Sequence, residues 1–438
     1  MSLRFTPLYL LVFATLFSCN QTKSNRPPNV ILIMVDDMGV EALNCYGNTQ
    51  NKTPHIDAMA ANSILFNDCV SQPLCTPSRL KIMTGKYNYR NYEHFGYLNT
   101  NQHTFGNLFK EQNYSTCIAG KWQLNGLSYK DEITDWNKSS RPVNFGFDEY
   151  CLWQLTKTSA EGGRYANPLI EQNGKILPQD PEAYGPDIFS NFVLDFIEKN
   201  KEKPFFVYYP MVLVHDPFVP TPDSKDWNDE TKRFKNDTTY FKDMVAYTDK
   251  IVGKIQSKIK ELNLEEDTIV IFTADNGTHP TVFSPTKNGI VQGAKGNTIT
   301  AGTHVPLIVN WGSKTKTLKY DGLIEFSDFY TTFADLLGNE NVKPDGKSFL
   351  DVLNKNSKEN IRETALVYYD PEWGANVSQY RNMFVRTKHY KLYQDGKFYN
   401  LDNDILEKHP LHADSLSNHE IEIKKMLEQE FSKHPKFK

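Results

Sequence analysis

The chain reads as an α/β protein, a sheet flanked by helices, followed by a smaller C-terminal subdomain of antiparallel sheet with a terminal helix. Two patterns predict this. From residue 29 to about 340, apolar runs of strand length alternate with segments of helical period, the arrangement in which helices cover a sheet. Beyond about 340 the runs become short and are separated by turns such as Gln394-Asp395-Gly396, which is the texture of a small antiparallel sheet. With 438 residues, 39% of them hydrophobic, the chain can bury a sizeable core, and its six cysteines are too few for a disulfide scaffold. The 49 basic residues against 53 acidic ones exclude the basic excess of a nucleic-acid binder.

Taken in order, Arg4 precedes the apolar run Leu8–Phe17, whose ten residues are too few to cross a hydrocarbon layer of ~30 Å, so the segment predicts a secretory signal. Leu16, Ser18 and Cys19 resemble a bacterial lipoprotein cleavage site. The expectation is a signal over residues 1–19, a lipidated Cys19 and a tether over 20–28. That implies export to the periplasm or outer membrane of a Gram-negative cell, with the lipid as the only membrane contact. Val30–Val35 is a strand ending in Asp36-Asp37, and Thr53-Pro54 starts a helix through Ala61. Thr104 caps a helix that leads into the strand Ser115–Ala119 and then Gly120-Lys121. Ile188–Asn200 is helical, Pro204–Val214 is a strand ending at His215, and Thr239–Asn263 is a long helix. The strand Thr268–Thr273 precedes Asp275-Asn276-Gly277, and Val305–Asn310 and Phe326–Leu337 are a strand and a helix. Ala365–Tyr369, Met383–Thr387, Tyr390–Tyr393 and Lys397–Asn400 form the second sheet, closed by a helix near Asn418–Phe431. This divides the chain into a main unit over 29–340 and a subdomain over 341–438.

Asp36, Asp37, Lys121, His215, Asp275 and Asn276 all fall just past the C-terminal ends of predicted strands, where ligands sit in open α/β sheets. The oxygen donors of Asp36, Asp37, Asp275 and Asn276 favour a hard cation such as Ca²⁺ over Zn²⁺. Successive strand residues point to opposite faces, so Asp36 and Asp37 share a cation only if the chain turns there, which Gly39 makes easier. In Pro73-Leu74-Cys75-Thr76-Pro77-Ser78-Arg79-Leu80-Lys81-Ile82-Met83-Thr84-Gly85, Thr76-Pro77 begins a helix and sets Cys75 at its N-terminus, where amide N–H groups favour anions. Arg79 lies four residues on, hence on the same face. A thiol so placed beside a guanidinium has the surroundings of a low-pKa nucleophile.

That stretch resembles the first signature of the type I sulfatases, a Cys-x-Pro-x-Arg core followed by Thr-Gly, and every position fits. Asn113-Tyr114-Ser115-Thr116-Cys117-Ile118-Ala119-Gly120-Lys121-Trp122 is similar to the second signature. Asp36-Asp37, His215 in His-Asp-Pro-Phe-Val-Pro, Asp275-Asn276-Gly277 and Lys295-Gly296 fall in the family's order, so the resemblance runs from Asn29 over nearly the whole chain. It implies a large mixed central sheet of the alkaline-phosphatase-like kind. It also implies oxidation of Cys75 to formylglycine by a formylglycine-generating or anaerobic maturing enzyme, with the hydrate as nucleophile. One Ca²⁺ would be held by Asp36, Asp37, Asp275, Asn276 and residue 75. Asp275 would help deprotonate the hydrate, Arg79, Lys121 and Lys295 would balance the sulfate charge, and His215 would protonate the departing sugar oxygen. The implied activity is hydrolysis of sulfate esters on polysaccharide-derived carbohydrates. A phosphonate monoester or phosphodiester hydrolase shares the Cys-x-Pro-x-Arg core, and a sulfated-glycan binding protein with impaired turnover is a third reading.

The sequence departs from the family at two places. Gln123 stands where the family has His, and an amide is no base at neutral pH, although it can donate a hydrogen bond to a sulfate oxygen. Thr300-Ala301-Gly302-Thr303-His304 replaces Glu-Gly-Gly-x-Arg, which weakens a structural contact and makes His304 a conceivable replacement base. Trp153, Trp227 and Trp373 are candidates for stacking on sugars, with core packing as the default. Whether Cys45, Cys69, Cys117 and Cys151 pair as disulfides is left open by the sequence.

Overall fold

Strand β1 (Asn29–Val35) is buried along its whole length in the middle of a ten-stranded sheet. The computed structural model describes residues 26–339, 341–371 and 380–437; Cys19, the signal segment, tether residues 20–25 and Trp373 lie outside them. The sheet gathers β2 (Ile64–Val70), β3 (Ser115–Lys121), β4 (Glu149–Trp153), β5 (Ile170–Gln172), β6 (Lys175–Ile176), β7 (Phe205–Pro210) and β8 (Thr268–Ala274). After a separate hairpin, β9 (Phe283–Thr286) and β10 (Gly289–Gln292), come β11 (His304–Asn310) and β12 (Leu318–Glu325). Their spatial order is β12-β2-β11-β8-β1-β7-β3-β4-β5-β6. Strands β8, β1, β7, β3 and β4 run parallel, while β11 is antiparallel to both β2 and β8, so the sheet is mixed.

Parallel strands covered on both faces read as continuous apolar runs, and Val30-Ile31-Leu32-Ile33-Met34-Val35 is fully buried. On β7, Phe205 and Phe206 point to opposite faces. Phe205 meets Phe196 of the Gly185–Asn200 helix. Phe206 stacks on Phe109, with ring centroids 4.0 Å apart, and meets Phe333. One face is therefore covered by the Gly185–Asn200 helix, the other by the helices Phe105–Glu111 and Ser327–Leu336.

β7 is shorter than the expected strand Pro204–Val214. Pro210 has no N–H to donate, which ends the ladder. The chain then crosses the end of β1, with Asp36 N donating to the Leu213 carbonyl and Val214 N to the Asp36 carbonyl, both at 2.8 Å. The smaller sheet has the antiparallel order β13 (Ala365–Tyr369), β14 (Asn382–Arg386), β15 (Tyr390–Tyr393), β16 (Phe398–Asn400). The helix Asn418–Phe431 closes it, opened by a Ser417–Glu420 capping box and buried through Leu427. Cys45, Cys69, Cys117 and Cys151 are free thiols.

The helix Cys75–Thr84 is held from beneath by buried charge. Lys81 Nζ donates to Glu325 Oε2 at 2.9 Å and to the Leu366 carbonyl at 2.7 Å, joining this helix to both sheets. Arg362 bridges Glu325 at 2.9 Å and also pairs with Asp328. Burial pushes the Glu325 carboxyl up, but Arg362 and Lys81 outweigh it and hold it at about 2. Removing one partner of a buried cluster strands the others, at a cost of about 3–5 kcal/mol. Glu325→Ala is therefore expected to lower the urea midpoint markedly, and an unchanged midpoint would show that the cluster does not hold this helix.

Candidate active site

The parallel strands end at one edge of the sheet, and the polar residues that follow them meet there. At the end of β1 the chain turns at Asp37 itself, whose φ of 61° is left-handed, a conformation that Asp tolerates better than most side chains. Gly39, expected to ease the turn, has an ordinary φ of −74°. Its missing side chain matters for space instead, since a Cβ there would fall 2.2 Å from the Glu41 carboxylate. The turn brings Asp37 N to Asp275 Oδ1 at 3.0 Å, while Asp275 N donates to the Val35 carbonyl at 2.9 Å.

Around these carboxylates stand the cations. Arg79, one turn into its helix, donates through Nε and Nη2 to Asp275 Oδ2 at 3.3 and 3.1 Å, and through Nη1 to the Lys121 carbonyl at 3.0 Å. Lys121, the last residue of β3, places Nζ 2.9 and 2.8 Å from the two Asp36 oxygens. Lys295 Nζ lies 2.6 Å from Asp37 Oδ2 and 3.0 Å from His215 Nε2. His215 Nδ1 is 2.6 Å from the Asp216 carbonyl, which can only accept. The imidazole proton therefore sits on Nδ1, and Nε2 accepts from Lys295. Asn276 Nδ2 donates to Asp37 Oδ1 at 2.8 Å, and its Oδ1 is buried without a partner. Cys75 Sγ is 3.8 Å from Gln123 Oε1. Gln123 is held there by its N–H to the Gln154 carbonyl at 3.2 Å, with a left-handed φ of 54°. All ten residues singled out from the sequence at this edge are thus brought together.

Burial alone would push the Asp36 carboxyl up, but Lys121, His215, Arg79 and Arg164 hold it well below the usual range. Asp37 is likewise lowered, because Lys295 and His215 outweigh its burial. Asp275 is pushed up to about 7 by burial and by the neighbouring Asp36 charge. Burial lowers His215, reinforced by Arg164 and Lys121 against the pull of Asp37, so its imidazole is neutral near pH 7. At Asp275 itself, burial and the Asp36 charge outweigh Arg79 and Lys121, so this carboxyl lacks local positive charge. Together with the open Asn276 Oδ1, an all-oxygen set, this suits a hard divalent cation. Asp36, Asp37 and His215 also have ligand atoms within 4.8 Å of one another, but His215 Nε2 is engaged by Lys295.

Two expectations change, and one default holds. The His304 ring bonds the Asn67 carbonyl at 3.0 Å, with Asp68 and Arg386 as its nearest charges, so it does not replace a base at Cys75. Trp153 and Trp227 are core residues, 2% and 8% exposed. The altered stretch 300–304 is not loose, because Glu407 accepts from Thr300 N and Oγ1 at 2.7 and 2.9 Å and from Lys391 Nζ at 2.9 Å. Two participants escaped the sequence reading. Glu407 lies more than 100 positions from the loop it anchors, and Arg164, whose Nη1 is 3.6 Å from Asp36 Oδ2, belongs to a loop without a motif.

Comparison with known proteins agrees with this geometry. The family described as Sulfatase matches residues 28–339, and the one described as N-sulphoglucosamine sulphohydrolase, C-terminal, matches residues 298–436. An N-acetylgalactosamine-6-O-sulfatase of Bacteroides thetaiotaomicron is 27% identical over 91% of this chain and 94% of its own length. Human steryl-sulfatase is 27% identical over 83% of this chain and 75% of its own length. A structure solved in complex with its substrate D-glucosamine-2-N,6-O-disulfate shares the fold, with a TM-score of 0.74 at 22% identity, covering 93% of this chain and 98% of that one. With a family match over most of its length and the family's polar residues assembled at one sheet edge, the chain belongs to the sulfatases and is a sulfuric ester hydrolase.

Proposed function

We propose that this sulfatase removes sulfate esters from carbohydrate substrates, using formylglycine at position 75 and one Ca²⁺. The observation that carries the reading is the convergence of Asp36, Asp37, Arg79, Lys121, His215, Asp275, Asn276 and Lys295 around residue 75. A carbohydrate substrate is supported by the N-acetylgalactosamine-6-O-sulfatase relative, which aligns over 91% of the chain. The N-terminal signal and Cys19 support export as a lipid-anchored protein of the periplasm or outer membrane, matured at Cys75 by a formylglycine-generating or anaerobic enzyme.

Asp36, Asp37, Asp275, Asn276 and residue 75 would hold the cation. Bound there, Ca²⁺ supplies Lewis-acid charge beside the sulfate and residue 75. Asp275 takes the proton of the residue 75 hydroxyl as its oxygen meets sulfur. Arg79, Lys121 and Lys295 face the negative charge that develops on the sulfate oxygens. The proton for the departing sugar oxygen is held at Lys295 Nζ, since His215 Nε2 is an acceptor and burial keeps the ring neutral. His215 accepts the hydrogen bond from Lys295 and orients the ammonium. The Gln123 amide cannot take up a proton at neutral pH, so its role is a hydrogen bond to substrate.

Three outcomes are expected. The tryptic peptide that follows Lys52 should carry an aldehyde instead of the Cys75 thiol when the protein is made with its maturing enzyme, and Cys75→Ala should abolish turnover; mass spectrometry showing an intact thiol in active protein would refute this. Chelation should lower the thermal midpoint, because a ligand at 100 times its Kd adds about 2.7 kcal/mol to stability. Asp36→Asn or Asp275→Asn should remove that Ca²⁺-dependent shift along with activity. Finally, Gln123→His should lower kcat/KM on the true sulfated sugar by about 10-fold or more, the cost of a misfitted polar contact of about 1–3 kcal/mol. Higher turnover with undiminished kcat/KM would instead make position 123 a missing base.

A further inference from the structure

Arg164 lies between β4 and β5, and nothing in the reaction described above employs it. Its guanidinium stacks on the buried Trp153 ring, 4.0 Å from the centroid. Its Nη1 is buried with no hydrogen-bond acceptor among the described residues, a condition that folded proteins rarely leave without a ligand or water to complete it. The nearest carboxylate oxygen, Asp36 Oδ2, is 3.6 Å away, beyond hydrogen-bond reach. Asp36 does not need this cation, since Lys121 already donates to both of its oxygens and Arg79 lies 3.8 Å away.

The mounting of Arg164 is rigid on both sides. Tyr165 OH donates to the carbonyls of Val212 and His215, and Gly185 N donates to the Tyr165 carbonyl at 2.9 Å. A Cβ at Gly185 would fall 2.0 Å from the Arg164 carbonyl oxygen, so only glycine lets the two backbones approach. Trp153 is fixed in turn by its Nε1, which donates to the Gly162 carbonyl at 3.1 Å. The β3–β4 register sets Trp153 opposite Lys121, and Gln123 is bonded to Gln154, the residue after Trp153. Arg164 therefore stands beside Lys121, in the part of the site where Gln123 replaces the family's histidine. A planar guanidinium held over an indole presents its N–H fork in fewer directions than a flexible ammonium does.

Resting on the sulfatase reading, we propose that Arg164 is a substrate-binding residue whose Nη1 donates to an oxygen of the sulfate group. Charge supports an anionic partner. Arg79, Lys121, Lys295 and Arg164 face Asp36, Asp37 and Asp275, and a divalent cation would enlarge the positive excess.

The test uses the full-length, matured, Ca²⁺-loaded protein and its Arg164→Met and Arg164→Lys variants. Binding of inorganic sulfate is measured by calorimetry and kcat/KM on a sulfated monosaccharide by sulfate release. Arg164→Met is expected to weaken sulfate binding at least ~10-fold and to lower kcat/KM by roughly 10²–10³-fold, the usual scale for losing one preorganised donor. Arg164→Lys should recover part of the binding. If the Met variant binds sulfate as tightly as wild type while losing activity on the sugar, Arg164 reads another substituent and the proposal is overturned, with the sulfatase reading intact. Should Arg164→Met fail to fold, Arg164→Lys carries the test: several-fold weaker sulfate binding supports the contact, and unchanged affinity rejects it. A wild-type protein that neither binds sulfate nor releases it from any ester would overturn both readings together.

Discussion

Three carboxylates, those of Asp36, Asp37 and Asp275, lie fully buried at one edge of the central sheet, and like charges removed from water have to be compensated or neutralised. Most of the local architecture answers that requirement. Arg79 reaches them from a helix, Lys121 from the end of β3 and Lys295 from the loop after the β9–β10 hairpin. Each cation commits the backbone that carries it, so the helix, the strand end and the loop are docked by the same electrostatic need. Gly296 N donates to the Pro73 carbonyl at 2.8 Å, which ties the Lys295 loop directly to the segment that enters the Cys75 helix. Compensation stays incomplete at Asp275, and Asn276 Oδ1 stays open.

The smaller sheet takes part in this arrangement. Lys391 and Tyr393 on β15 both reach Glu407 and the Thr298 carbonyl, and Glu407 holds Thr300. Burial lowers the Lys391 ammonium to about 8 against the pull of Glu407. The contact that the family's Glu-Gly-Gly-x-Arg implies at residues 300–304 is thus supplied from a different part of the chain. On the other side, Lys81 and Arg362 link the Cys75 helix to Glu325, and Lys81 also binds the Leu366 carbonyl on β13. The Cys75 helix and the Lys295 loop are both braced by residues of β12, β13 and β15.

Proton handling at this site differs from what a histidine-rich pattern suggests. His215 is buried, neutral and committed through Nδ1 to the Asp216 carbonyl, and position 123 is an amide. His215 Nε2 faces Lys295, whose ammonium is held well above its ordinary value because Asp37, Cys75 and Asp36 together outweigh the effect of burial. Burial beside Arg164 and Lys121 keeps the ring neutral, so the Lys295–His215 contact pairs an ammonium with a neutral imidazole.

The sequence by itself determined the elements and the chemistry of the site. Continuous apolar runs specify buried parallel strands such as β1 and β8, and helical period sets Arg79 on the same face as Cys75 at the start of its helix; both are local, period-dependent properties. Strands such as β2 and β12 went unread because Asn67-Asp68 and Lys319, Asp321 interrupt their apolar runs. Tertiary structure alone decided what depends on approach between distant segments. The turn at Asp37, the end of β7 at Pro210, the bond from His304 to Asn67, the anchoring by Glu407 and the stacking of Arg164 on Trp153 have no pattern along the chain. Hydrogen bonds and ion pairs act over about 3 Å of space, and which side chains come that close is fixed only when the sheet has brought its strand ends to one edge.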